Sequence, residues 1–143
     1  MPEVSNKISP RVDHITLTVK DFQKSKVLYN ELFTNYLGGQ IVLNEVDVFG
    51  VRFASNFMLE IVPENPEFKD SKFDRQQVGL HHFALELENK EAVDKVYQKL
   101  LELKVEILDE PQFYPEYDDG YYAVFWQDLN GFKMEFMCYD KLD

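Results

Sequence analysis

Near its start this chain reads Val12-Asp13-His14-Ile15-Thr16-Leu17-Thr18-Val19, and near its middle Leu80-His81-His82-Phe83-Ala84-Leu85-Glu86-Leu87. Both segments alternate with the period of two that marks a half-buried strand. Ile15, Leu17 and Val19 share one face in the first, as do Phe83, Leu85 and Leu87 in the second. The opposite faces carry His14, Thr16, Thr18 and His82, Ala84, Glu86. Each strand therefore has one apolar side and one side with a histidine among small or polar residues. Such internal similarity means that the chain is built from two like halves.

The segments after each opening strand repeat as well. Asp21 is placed to cap a helix from about residue 22 to 37, closed by Gly38-Gly39. Asn89 caps a second, in which Val93, Val96, Tyr97, Leu100 and Leu103 keep helical spacing. Strand-like segments come next, at 39–44, 47–54 and 57–62 in the first half. In the second half they fall at 106–109, 121–127 and 132–138. Asn130-Gly131 reads as a hairpin turn, because both residue types tolerate positive φ. The order is strand, helix, three strands, twice over, with a polar linker at about 64–78 between module one (about 11–63) and module two (about 79–139). This predicts one α+β domain whose two sheets curl around a shared cleft.

Bulk properties narrow the partners. A chain of 143 residues suits one domain with one proper core. Its formal net charge of -11 repels phosphate backbones, which argues against nucleic acid and anionic membrane surfaces. A single cysteine, Cys138, excludes an internal disulfide and fits a reducing compartment. Residues 1–10 are polar, without the apolar core of a signal peptide, and no run approaches the roughly 18 apolar residues of a membrane span. A cytoplasmic location is expected. No phosphate-binding glycine loop, CxxC pair or nucleophile elbow is present. Cys138, in an apolar strand, is expected to be a packed thiol.

The closing strands repeat a second oddity. Phe57-Met58-Leu59-Glu60-Ile61-Val62 and Phe132-Lys133-Met134-Glu135-Phe136-Met137 each set one carboxylate in an apolar strand. Alternation puts Leu59/Ile61 and Met134/Phe136 on one side and the glutamates on the other. With the apolar sides against the helices, Glu60, Glu135, His14 and His82 point into the cleft. A carboxylate buried without a partner costs several kcal/mol. A divalent cation would supply that partner, and two imidazoles with two carboxylates suit Zn, Ni, Co, Mn or Fe. One histidine on a strand is more often structural, and one such glutamate is usually solvated at its tip. The recurrence of both in both halves is what favours a metal. Asp13 and His81, one step out of register, are expected to point to the helix side or the edge.

With these residues in view, the sequence resembles the vicinal oxygen chelate superfamily, the glyoxalase, bleomycin-resistance and dioxygenase group. The resemblance covers about residues 11–139. It is carried by Asp13-His14-Ile15-Thr16-Leu17, by Gly79-Leu80-His81-His82-Phe83-Ala84 and by the stretch from Gly120 to Glu135. The family's usual closing turn, Asp-Pro-Asp-Gly, here reads Asp128-Leu129-Asn130-Gly131.

The resemblance implies a glyoxalase-like fold of two βαβββ modules forming a curved mixed-sheet cleft, often in a homodimer, with a divalent metal at the module boundary. Glyoxalase-type members take a metal ligand from the first and last strand of each module, which here gives His14, Glu60, His82 and Glu135. The final-strand glutamate is also the proton-moving base of glyoxalase I, a catalytic role that falls on Glu135. Four protein ligands leave an octahedral ion two positions for a substrate with two vicinal oxygens, and lyase or isomerase chemistry through an enediolate-like intermediate is expected. Oxygen-activating relatives use two histidines and one carboxylate, so Glu60 argues against a dioxygenase.

The stretch 113–122 resembles uncharacterised bacterial members. Its Tyr114, Tyr117 and Tyr121 either contact a small-molecule substrate at the pocket mouth or pack the sheet end. Arg52 is a candidate for an anionic substrate group, or else a surface ion pair. The rival readings are a drug-sequestering protein of the bleomycin-resistance kind, an extradiol-type dioxygenase and a thiol transferase to an antibiotic such as fosfomycin.

Overall fold

Each half of the chain builds one four-stranded sheet, as the computed structural model shows for residues 8–141. The expectation for the polar N-terminus lies outside the described residues up to residue 7. Module one runs β1 (His14–Val19), α1 (Phe22–Tyr29), β2 (Gln40–Glu45), β3 (Val48–Arg52) and β4 (Met58–Pro63), with strand order β1-β4-β3-β2. Module two repeats this with β5 (Phe83–Glu86), α2 (Lys90–Glu102), β6 (Glu106–Phe113), β7 (Tyr121–Gln127) and β8 (Lys133–Tyr139), ordered β5-β8-β7-β6. The first and last strands of each module pair in parallel, and the other pairs are antiparallel. Register repeats too: Thr16 faces Glu60 across β1 and β4, and Ala84 faces Glu135 across β5 and β8.

The predicted caps form. Asp21 accepts from Lys24 N at 3.1 Å, and Asn89 accepts from Ala92 N at 2.9 Å. The first helix departs from a uniform α-helix: beyond Tyr29 it widens into π-helix over Asn30–Tyr36, with Leu37 N bonding Leu32 O at 3.0 Å. This segment buries the neighbours Leu32 and Phe33 together, at 0% and 1% exposure, and Gly38 ends it at φ 78°. A left-handed residue costs glycine little there.

Other expectations shift at their edges. β6 runs to Phe113, past the predicted 109, and is an edge strand with irregular register that accommodates Pro111. β5 begins at Phe83, so His82 sits just before the strand rather than in it. The linker holds a 3-10 turn, Pro66–Phe68, and lays Phe73 edge-on to Phe132 at 4.7 Å. The β7–β8 turn is not a two-residue Asn-Gly hairpin, since only Gly131 takes positive φ (91°). Asp128 organises it instead, accepting from the backbone N–H groups of Asn130 and Phe132, each at 2.9 Å.

The helix-facing sides of both sheets meet in one core. Leu17, Val19, Leu59 and Ile61 of module one belong to the same cluster as Val93, Leu100, Trp126, Met134 and Phe136 of module two. Phe33 sits at the junction, its ring 5.2 Å from Tyr29, 5.8 Å from Phe53 and 6.4 Å from Phe136. The Tyr29 hydroxyl donates to Asp128 at 2.7 Å and ties α1 to the β7–β8 turn. Cys138 lies wholly inside as a free thiol, and burial pushes its proton affinity up. Among the described residues no helix is long and apolar enough to cross a membrane.

Because the junction is shared, truncating Phe33 to alanine is expected to cost about 3–5 kcal/mol, with both modules unfolding in one denaturant transition. Two separate transitions would contradict the shared core. Tyr29→Phe removes one of two donors to Asp128 Oδ2, the other being Asn130 Nδ2 at 3.0 Å, and is expected to cost about 0.5–1.5 kcal/mol in the same measurement.

Candidate functional site

The sides of the two sheets turned away from this core carry the predicted residues. In module two, Glu135 stands in the middle of β8 at 3% exposure, flanked on its face by Lys133 and Met137 and opposite Phe125 of β7. His82 lies two residues before Ala84, the residue that faces Glu135. The small Ala84 leaves the glutamate open to the histidine, and His82 Nε2 comes to 3.3 Å from Glu135 Oε1. The hydroxyl of Tyr121 donates to the other oxygen, Oε2. His82 Nδ1 lies 2.8 Å from His81 Nδ1. Burial holds His82 below the ordinary imidazole value; Glu135 opposes this, while Lys133 and His81 add to it. A neutral imidazole is the form that can ligate a metal.

Module one repeats the arrangement in a more open setting. Thr16 Oγ1 donates to Glu60 Oε1 at 2.7 Å, and Glu60 is half-buried. His14, exposed at the head of β1, places Nδ1 2.9 Å from Asp13 Oδ2. Arg52 donates to Asp13 Oδ1 at 3.4 Å and to the Asn56 carbonyl at 2.6 Å. The bond to His14 and then that to Arg52 hold the Asp13 carboxyl below its usual value. Arg52 thus makes a surface ion pair with Asp13.

Asp13 and His81, expected to point to the helix side or the edge, are exposed at the ends of the edge strands. At strand ends, adjacent side chains fold back on each other, and each engages the Nδ1 of the neighbouring histidine. Fixing one ring nitrogen orients the other, as carboxylate partners do for metal-binding histidines. The dipeptides Asp13-His14 and His81-His82 were the available signal.

The structure brings His82 and Glu135 together, and sets His14 and Glu60 at matching places on the other sheet. It does not gather all four within one chain: among the described residues, no group of three or more His, Cys, Asp or Glu side chains is placed to hold a metal. The shared core turns the outer sides of the edge strands β1 and β5 to solvent, while beside Glu135 the residues Tyr114, Ala123, Phe125 and Met137 form a second buried cluster. His14, Thr16, Thr18, Ala84 and Glu86 are all exposed. The second pair nonetheless fits an ion. Bonds of about 2.1 Å put neighbouring ligands about 3.0–3.4 Å apart, so a separation of 3.3 Å suits one nitrogen and one oxygen on one metal.

Of the three tyrosines, Tyr121 bonds Glu135 directly, and Tyr114 and Tyr117 pack against its ring. Tyr114 is buried, edge-on to Phe125 at 5.5 Å and stacked on the exposed Tyr117 at 5.0 Å. Its hydroxyl has no hydrogen-bond partner, and burial with the nearby charge of Asp109 raises its proton affinity to about 12. Tyr121 touches both other rings. These side chains pack the sheet end and also wall the glutamate's face.

The sequence profile of the Glyoxalase/Bleomycin resistance protein/Dioxygenase superfamily matches residues 11–136. Among curated proteins, the uncharacterised YqjT of Bacillus subtilis is 33% identical over 82 residues, 57% of this chain, which spans 64% of that relative's length. A candidate glyoxalase from Bacillus halodurans superposes with a TM-score of 0.76 at 25% identity, covering 89% of this chain and 94% of the other. The fosfomycin resistance protein FosX of Listeria monocytogenes gives 0.67 at 17% identity, covering 92% and 94%. The lactoylglutathione lyase of Agrobacterium tumefaciens also gives 0.67, at 19% identity, covering 92% and 96%. Those last two likenesses show a shared fold alone. The profile spans nearly the whole described chain and the fold repeats its paired modules, so the chain belongs to the glyoxalase, bleomycin resistance protein and dioxygenase superfamily.

Proposed function

We propose that this protein is a metal-dependent lyase or isomerase of the glyoxalase type, working as a homodimer on a small substrate that offers two neighbouring oxygens. The observation that carries this reading is the 3.3 Å contact of His82 with Glu135, echoed by His14 and Glu60 at the same register of the other sheet. Each chain holds two half-sites. A two-fold dimer that sets module one of one copy against module two of the other completes both sites at once. His14 and Glu60 then belong to one copy and His82 and Glu135 to its partner.

Zn, Ni, Co, Mn or Fe suits this donor set, and such an ion would supply Lewis acidity toward the substrate oxygens. The chain's own groups do the rest. Asp13 and His81 orient the two imidazoles, and Thr16 orients Glu60. Glu135, nearly enclosed beside Phe125 and Met137, acts as the base: its Oε1, when not ligating the ion, takes a proton from the substrate carbon and returns it to the neighbouring carbon. Tyr114 and Tyr117 offer a flat wall for the body of the substrate.

Protein purified without chelator is expected to hold one divalent ion per chain by elemental analysis, and His14→Ala and His82→Ala each to lose it. Mixing those two variants should restore about a quarter of the wild-type content, because a mixed dimer keeps one intact composite site of two. No restoration would place the site within one chain, and a metal-free wild type would favour the drug-sequestering reading. Glu135→Gln is expected to lower turnover of methylglyoxal–thiol adducts by about 10²–10⁴-fold, well beyond its effect on metal affinity. Equal losses would reduce Glu135 to a ligand.

A further inference from the structure

We propose that Tyr121 is a positioning residue of this site: its hydroxyl holds Oε2 of Glu135, leaving only Oε1 turned to His82. The inference rests on the metal-dependent reading of the site. The observations that carry it come from comparing the two modules. In module one the glutamate receives its hydroxyl donor from Thr16, the residue directly opposite on β1. In module two that position is Ala84, which has none. Tyr121 supplies the missing donor from the other side, from the start of β7.

The face is shaped for this reach. Phe125 faces Glu135, Ala123 faces Met137 and Tyr121 faces Tyr139, so Ala123 lies between donor and acceptor. A methyl group there leaves the tyrosine ring room to lean along the strand. The ring is also clamped edge-on by Tyr117 at 5.4 Å, Tyr139 at 5.5 Å and Tyr114 at 6.5 Å. Edge-to-face contacts of this kind fix a ring's tilt and hence the place of its hydroxyl. The register equivalent of Tyr121 in module one, four residues before Gly50, is Val46, at 90% exposure. Two glutamates at one register thus have hydroxyl donors of unrelated origin. Packing alone does not require that, whereas fixing a carboxylate oxygen does.

Cobalt(II) tests this, with affinity read by chelator competition and coordination by the visible absorption spectrum. Tyr121→Phe is expected to bind Co(II) about 10–100-fold more weakly, with an altered spectrum. Tyr36→Phe deletes the same atom where it bonds the Lys95 carbonyl on the helix side, and is expected to match wild type in both. Adding Ala84→Thr to Tyr121→Phe re-creates the donor geometry of module one and is expected to recover affinity and spectrum. Unchanged binding and spectrum in Tyr121→Phe would overturn the assignment. So would a loss that Ala84→Thr does not repair, since that marks Tyr121 as packing only. Wild-type protein that takes up no Co(II) would overturn the metal reading itself, a failure visible before any variant is made.

Discussion

Everything at the site depends on how the two sheets share their apolar sides. The helices α1 and α2, with the strand faces beneath them, merge into one cluster that has Phe33 at its junction. Hydrophobic burial scales with area removed from water, and joining the two modules lets each complete the other's cover. The same choice sends the histidine-bearing faces outward. A single chain therefore carries its two histidine–glutamate pairs on separate sheets, with no group of three or more candidate ligands brought together among the described residues. The second copy in the proposed function is a consequence of where the apolar surface went.

The two half-sites are related but unequal. Glu135 is almost enclosed and is held from a neighbouring aromatic group, whereas Glu60 is half-buried and held by a threonine on the adjoining strand. His82 is flanked by another imidazole, and His14 by a carboxylate that also binds Arg52. Burial lowers the proton affinity of His82, with Glu135 opposing this and Lys133 and His81 adding to it. One duplicated frame thus gives two different electrostatic settings for the same pair of donor types.

Much of this was legible in the sequence, because alternation and capping are local. The repeated strands, the caps Asp21 and Asn89 and the β7 boundaries all come from residue period and side-chain chemistry. The family and its paired modules were legible for the same reason. The widened turn after Tyr29 was not, since helical spacing of apolar residues does not distinguish an α-turn from a π-turn. Nor was the role of Asp128, whose partner Tyr29 lies 99 residues away. Strand register placed the two histidines and two glutamates on the faces turned away from the shared core, where the structure has them. It did not show that Asp13 and His81, at strand ends where alternation lapses, bond the neighbouring histidines.

Cys138 faces the common core from β8 with no accessible surface. Because it is the chain's one cysteine, thiol chemistry is closed to the folded molecule and open to no other position. A reagent that marks this sulfur therefore marks a molecule whose second sheet has come apart. The labelling rate is a built-in clock for that opening, and anything bound on the opposite face of β8 slows it.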